Sequence, residues 1–228
     1  MINHWKFISL GPTCISASLI KGMGLKLESY PLDWAQSGSE IAKELFRLDE
    51  TAFFWRHIHK PTQLLEQVID NRILKKDELP THGIKPIKSL FGYSWFYNPH
   101  SEINEHDNSY YRRCLTRFKQ LIGNHTQDVC CIISDQPDLA SYDYLNISSD
   151  QLIDFYNEIN QYCECRLKIA VVRIKKTDST YAKVLDKSIL NNKIWLIEIF
   201  IPKVLYGCSP YESQICSLLL KQFFGRFT

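Results

Sequence analysis

Hydrophobic residues recur along this chain in two patterns, one typical of buried strands and the other typical of amphipathic helices. Short apolar runs rich in β-branched residues predict strands at residues 5–10, 129–134, 167–174 and 193–201. Apolar residues at helical spacing predict helices at residues 13–21, 41–48, 61–70, 109–122 and 210–224. Strands and helices therefore alternate from one end of the sequence to the other.

Polar residues mark some of the element boundaries. Residues 148–151, SSDQ, have the spacing of a capping box and predict the start of a further helix. Asp107, Asn108 or Ser109 is the expected N-cap of the helix that follows them. We expect residues 71–91 to be irregular, because they are polar and interrupted by proline and glycine.

The alternation of strands and helices predicts an α/β fold, with a central, mostly parallel sheet flanked by helices. The sequence contains no internal repeat, low-complexity tract or linker, so we expect residues 1–228 to form a single layered domain. A chain of this length buries enough surface on folding to need no disulfide or structural metal.

Charge and hydropathy exclude several classes of partner. Lys and Arg total 27 against 25 Asp and Glu, a net charge of +2, which gives no basis for nucleic-acid or anionic-membrane binding. The most apolar stretch, residues 194–201, is far shorter than the ~20 residues that a membrane-spanning helix needs. The N-terminus lacks a signal-peptide pattern, so we expect a cytoplasmic protein.

Eight cysteines are present, and one of them lies in a context that favours chemistry. Cys14 follows the first strand, in the turn SLGPTC. If Gly11 is the N-cap of the next helix, Cys14 is the third helical residue, where the positive helix end stabilises a thiolate. Cys114, Cys130 and Cys131 lie in apolar settings and are predicted to be small buried hydrophobes.

Cys163 and Cys165 form a C-x-C pair with no second pair at the spacing of zinc ligands. The sequence also contains no Gly-rich phosphate loop, no H-E-x-x-H and no G-x-S-x-G motif. We therefore expect neither a metal nor any other cofactor. A metalloenzyme that uses His57 and His59 is the weakest alternative, and we interpret both residues as surface or packing histidines without an acidic partner.

A nucleophilic cysteine needs a base and usually a third group that orients the base. His100 ends the aromatic strand GYSWFYNPH and ranks first as the base, and His106 ranks second. Asp135 follows a buried strand and is the first choice for the orienting acid, with Asp33 in YPLDW as the alternative. Open α/β sheets bind ligands at the carboxyl ends of their strands, where Cys14 and Asp135 are expected.

Three arginines, Arg112, Arg113 and Arg117, lie on the helix predicted at residues 109–122. They are candidates for a clamp on an anionic substrate. They are equally consistent with the charged, solvent-exposed face that an amphipathic helix requires.

The block ISLGPTCISASLIKGMGLKLESYPLDWAQS, an aromatic strand that ends at a histidine, and YYRRCLTRFKQLI followed by DVCCIIS together resemble a family. It is the uncharacterised, mainly bacterial family of papain-like cysteine peptidases. The resemblance covers residues 5–135. The family pattern is a Ser-Leu-Gly turn, a cysteine, a helix and a Ser-x-Pro-hydrophobic-Asp-Trp segment, matched here by Ser9, Leu10, Gly11, Cys14, Ser29, Pro31, Asp33 and Trp34.

The resemblance implies a Cys–His hydrolase with Cys14 as nucleophile, a histidine as base and an Asp or Asn that orients it. In the family the histidine follows a hydrophobic strand and precedes an Asp. His100 here follows the strand, whereas His106 precedes Asp107. The candidate substrate-binding residues are Thr13, Asp33, Trp34 and Arg113. The resemblance also implies an alternative fold class, the α+β arrangement of papain.

Two functions from different classes follow. The first is a cysteine peptidase or a related thiol-dependent acyl hydrolase or transferase that acts on a peptide, acyl or glycan substrate. The family also resembles components of polysaccharide-modifying gene sets. The second is a non-catalytic carbohydrate- or peptide-binding module, suggested by the aromatic residues, which make up 13% of the chain.

Overall fold

The elements of the fold are taken from a computed structural model of the chain. The structure describes residues 5–11, 15–33, 36–58, 67–69, 72–74, 96–97, 105–135, 148–190, 192–205 and 211–225. Its strands are β1 (Trp5–Ser9), β2 (Gln36–Ser37), β3 (Gln67–Ile69), β4 (Arg72–Leu74), β5 (Phe96–Tyr97), β6 (Asp128–Asp135), β7 (Arg166–Thr177), β8 (Lys183–Leu190) and β9 (Ile194–Pro202). Its α-helices are α1 (Ile15–Gly22), α2 (Ser39–Arg47), α3 (Glu50–Phe53), α4 (Glu105–Ile122), α5 (Ser149–Asn160) and α6 (Tyr211–Gly225).

A five-stranded sheet with the order β1-β6-β7-β9-β8 forms the centre of the fold. The first four strands in that order are parallel, and β8 pairs antiparallel with β9 at the edge. Short antiparallel ladders join β2 to β5 and β3 to β4. The α/β prediction is confirmed, because parallel strands dominate this sheet and helices alternate with them.

Both faces of the sheet are covered, which explains why each central strand contains an uninterrupted apolar run. Cys131 and Ile133 in β6 face a core that also includes residues of α2, α3, α4 and α5. Cys130 and Ile132 face the opposite core, with residues of α1 and α6. Among the described residues, no helix is both long enough and apolar enough to span a membrane.

Polar contacts join α4 to α2 and fix the start of α5. Lys119 in α4 donates hydrogen bonds from Nζ to the carbonyl oxygens of Leu45 at 2.7 Å and Phe46 at 2.8 Å, near the end of α2. Ser148 is the N-cap of α5, and its hydroxyl accepts a bond from the Gln151 N–H at 3.2 Å. The Gln151 side chain accepts the Ser148 N–H at 3.0 Å, so the predicted capping box is confirmed.

The prediction of a helix at residues 61–70 is wrong at residues 67–69, which form β3. The expected irregularity of residues 71–91 is likewise wrong at residues 72–74, which form β4. Val68 lies opposite Ile73 in the register of this ladder. A brief apolar run does not distinguish a strand from a helix by its period.

Two further elements differ from the prediction. α4 begins at Glu105, so His106 and the expected N-caps Asp107, Asn108 and Ser109 lie inside the helix. Because its first turn is polar, the hydrophobic pattern could not indicate that the helix begins there. β8 is missing from the prediction, because edge strands commonly carry charged residues and bulges, and β8 has a register shift between Asp186 and Ser188.

The capping box predicts the effect of a substitution at Ser148. Ser148→Ala removes the acceptor for the Gln151 N–H and should lower the free energy of unfolding by about 1 kcal/mol. The matched control is Ser149→Ala, because Ser149 is the exposed first residue of the same helix. Chemical denaturation of both variants tests this, and equal stabilities would contradict an energetic role for the cap.

Candidate functional site

The carboxyl ends of β1 and β6 meet at one edge of the sheet. The two strands are parallel, with Ser9 opposite Ile132. The Leu10 N–H extends this pairing by donating to the Ile132 carbonyl at 2.9 Å. The segment that contains Cys14 follows β1, and Asp135 is the last residue of β6. This edge is where the topology of a parallel α/β sheet directs ligands.

Three buried serines, Ser9, Ser16 and Ser134, bind the backbone at this edge, and we call them the serine clamp. The Ser16 hydroxyl donates to the Gly11 carbonyl at 2.8 Å and accepts the Ser134 N–H at 3.0 Å. The Ser16 and Ser134 hydroxyl oxygens are 2.8 Å apart. The Gly11 N–H contacts Ser9 Oγ at 3.3 Å. The clamp therefore joins the end of β1, the start of α1 and the end of β6.

The directions of these hydrogen bonds can be assigned. Because the Ser16 proton lies on the Gly11 carbonyl, the Ser134 hydroxyl is the donor in the bond between the two serines. Gly11 has a φ of +86°, a conformation that glycine adopts readily. That angle differs from the extended backbone of an N-cap, the position predicted for Gly11. The described part of α1 begins at Ile15.

The predicted catalytic residues are described to different extents. Cys14 and His100 lie outside the described residues, as do the candidate ligand-binding residues Thr13 and Trp34. For the other two catalytic candidates the structure gives the backbone position: Asp135 ends β6, and His106 lies in the first turn of α4. The assignment of these residues to one catalytic site stays a prediction.

Asp33, predicted as a substrate-binding or orienting residue, is 2% exposed and forms a buried polar centre beside β1. Its carboxylate pairs with the Lys26 ammonium and accepts the Tyr30 N–H at 2.8 Å. Burial raises the pKa of Asp33, while Lys26 and the backbone of Tyr30 and Ser9 act in the opposite direction. The Ser9 contact places Asp33 at the carboxyl end of β1.

Helix α4 packs against the segment that contains Asp33. Burial raises the pKa of Tyr110 to about 12, and a hydrogen bond with Ser29 partly offsets this effect. Tyr110 is also hydrogen-bonded to Cys114, whose thiol pKa is raised by burial. Cys114 is fully buried, as predicted, and the raised thiol pKa makes it unsuited to nucleophilic chemistry.

The three arginines of α4 have separate contacts. Arg112 stacks over the ring of Phe54, with its guanidinium carbon 4.0 Å from the ring centroid. Arg113 is exposed and donates from Nη1 to Ser109 Oγ at 3.2 Å. Arg117 acts electrostatically on Cys114 and lowers its thiol pKa. Arg113 is therefore available to solvent, and Arg112 is held by an aromatic ring.

One pair of functional groups was missed in the sequence. His57 was interpreted as having no acidic partner, but its Nε2 lies 2.5 Å from Glu44 Oε2. The His57 ring also packs against Phe53, with centroids 4.8 Å apart. A π-helical turn, Phe54–Ile58, extends α3 and carries this histidine. No sequence motif could reveal this pair, because Glu44 and His57 approach each other only when α2 and the π-helical turn pack together.

In the part of the chain that the structure describes, no group of three or more His, Cys, Asp and Glu residues is arranged to bind a metal ion. His59, the second histidine of the metalloenzyme alternative, lies outside that part.

The contacts of Asp33 predict a large effect of its removal. Asp33→Ala removes the buried carboxylate that pairs with the Lys26 ammonium and accepts the Tyr30 N–H, and should lower the free energy of unfolding by about 3 kcal/mol. Asp178→Ala is the matched control, because Asp178 pairs with Lys203 in an exposed ion pair and should change little. Denaturant titration compares the two, and equally small effects would contradict the structural role of Asp33.

Comparison with known proteins adds the family. No curated protein and no solved structure matches the chain. The family model described as "Putative papain-like cysteine peptidase (DUF1796)" matches residues 5–136. That range is more than half of the chain and contains β1, the serine clamp, Asp33 and all four predicted catalytic residues. The chain therefore belongs to the papain-like cysteine peptidase family DUF1796.

Proposed function

We propose that this protein is a thiol-dependent acyl hydrolase or transferase of the cysteine-peptidase type, with Cys14 as its nucleophile. A histidine takes the thiol proton, and the thiolate attacks the acyl carbon of the substrate. The acyl–nitrogen or acyl–oxygen bond breaks, and the histidine returns the proton to the leaving group. Water or an acceptor hydroxyl or amine then releases the acyl group from sulfur.

The observation that carries this proposal is the serine clamp. Ser16 holds the Gly11 carbonyl on one side of the segment that contains Cys14, and Ser134 holds Ser16 from the end of β6. Both flanks of that segment are thereby fixed to the sheet by buried hydrogen bonds. A nucleophile gains most when its backbone is held before the substrate arrives. The family membership independently supports cysteine-based chemistry in this part of the chain.

The remaining roles are assigned by position along the chain. His100 is the first choice for the base and His106 the second, as the sequence suggested. Asp135 directly follows Ser134 of the clamp, which supports a role in orienting the imidazole. Backbone N–H groups from Thr13 to Ile15 are proposed to stabilise the oxyanion, because the positive end of a helix favours negative charge.

The pH dependence of alkylation tests Cys14 directly. We expect iodoacetamide to label Cys14 selectively in the native protein, with an apparent pKa well below the ordinary ~8.5 of a thiol. The label is located by mass spectrometry, and the half-buried Cys163 is the internal comparison. Cys14→Ser should abolish the selective label without changing the thermal unfolding temperature.

An ordinary pKa for Cys14, or labelling of Cys14 no faster than that of Cys163, would contradict the proposed nucleophile. The result would favour the second function, a carbohydrate- or peptide-binding module without catalysis. Glycan and peptide binding would then be measured with Cys14→Ser and should match the wild type.

The role of the clamp is tested by Ser134→Ala and Ser16→Ala. Ser134→Ala removes the bond between the two hydroxyls, and Ser16→Ala removes every hydrogen bond of the Ser16 hydroxyl. In each variant the Cys14 alkylation rate should fall about tenfold near neutral pH, with its apparent pKa moving upward. Ser217→Ala is the matched control: Ser217, in α6, is fully buried and donates at 3.2 Å to the carbonyl of Leu19 in α1, the helix that also contains Ser16. Equal alkylation profiles in all three variants would contradict a role of the clamp in activating the Cys14 thiol.

A further inference from the structure

A second pair of thiols lies far along the chain from Cys14, in the turn between α5 and β7. The side chains of Cys163 and Cys165 are hydrogen-bonded to each other, and Cys163 Sγ also lies 3.5 Å from the Ile159 carbonyl. Glu164 between them is exposed, so the two cysteine side chains share the inner side of the turn. Cys163 is half-buried and Cys165 is 6% exposed.

The backbone of this turn is fixed by hydrogen bonds to both adjoining helices. The Cys163 N–H donates to the Asn160 carbonyl at 3.1 Å, at the end of α5. The N–H groups of Glu164 and Cys165 both donate to the Ile122 carbonyl at the end of α4, at 2.8 and 3.1 Å. The two thiols are therefore kept adjacent by the surrounding structure.

The hydrogen bond within the pair favours a thiolate at Cys165, whereas burial and the Asp128 carboxylate oppose it. The hydrogen bond from its neighbour lowers the pKa of Cys165, and the same bond together with burial raises the pKa of Cys163. The Lys119 ammonium acts on Cys163 in the stabilising direction for an anion. Cys131 of β6 is the third nearby thiol, but it is fully buried on the core side, and burial raises its pKa.

We propose that Cys163 and Cys165 form a reversible oxidation site that a hydroperoxide converts to an intramolecular disulfide. The Cys165 thiolate attacks the terminal peroxide oxygen and the O–O bond breaks, so sulfur is oxidised to a sulfenic acid, while the leaving oxygen takes a proton from water to give an alcohol, or water for hydrogen peroxide. The Cys163 sulfur then displaces the sulfenic hydroxyl, which forms the S–S bond and releases water. A small thiol reverses the reaction by exchange.

The test uses the wild-type protein, so it does not depend on the folding of a variant. Native protein is treated with hydrogen peroxide, its remaining thiols are blocked with N-ethylmaleimide, and it is digested with chymotrypsin. Cleavage after Tyr162 and Leu167 releases both cysteines in one short peptide. We expect most of this peptide to carry no maleimide and to be lighter by two hydrogens, and dithiothreitol before blocking should restore both labels.

Three results would overturn the proposal: maleimide on both cysteines after peroxide, a crosslink from either cysteine to Cys131, or direct conversion to a sulfinic acid. Cys165→Ser is the companion variant and should show a trappable Cys163 thiol with no disulfide. Cys130→Ala is the matched control, because Cys130 is fully buried on the opposite face of β6 and its loss should leave the peptide pattern unchanged. None of these outcomes depends on Cys14.

Discussion

The parallel pairing of β1 with β6 is the constraint on which the rest of this fold depends. It brings two segments that are 118 positions apart, at Ser16 and Ser134, close enough to share a hydrogen bond. Buried hydroxyls are costly unless they are satisfied, so the clamp fixes the register of the two strand ends and the start of α1 together. This one junction fixes both flanks of the segment between Gly11 and Ile15.

Much of the fold was predictable because its central strands are buried on both faces. Each of β6, β7 and β9 contains an uninterrupted run of at least four apolar residues, and such runs stand out in a sequence. The start of α5 was equally clear, since the capping box is a local signal. The missed elements include α3, β3 and β4, which are only three or four residues long, and β8, which lies at the edge of the sheet.

The candidate site was predictable only where its residues carry local signals. Cys14 was singled out by the strand-turn-helix pattern around it, and the family match covers the same region. The partners of that region were not visible, because Ser16 and Ser134 are common residues without a motif. The pair of His57 with Glu44 was missed for the same reason, as it forms only when α2 and the π-helical turn pack together.

Asp33 illustrates how one motif can combine two physical roles. The sequence groups it with Cys14, yet its carboxylate is buried and engaged by Lys26 and Tyr30. The cost of burying that charge is offset by donors that hold the segment from Ser29 to Asp33 against β1 and α4. The second half of the family motif is thus explained by packing beside the sheet edge. The first half contains the nucleophile candidate, and the clamp fixes both of its flanks to that same edge.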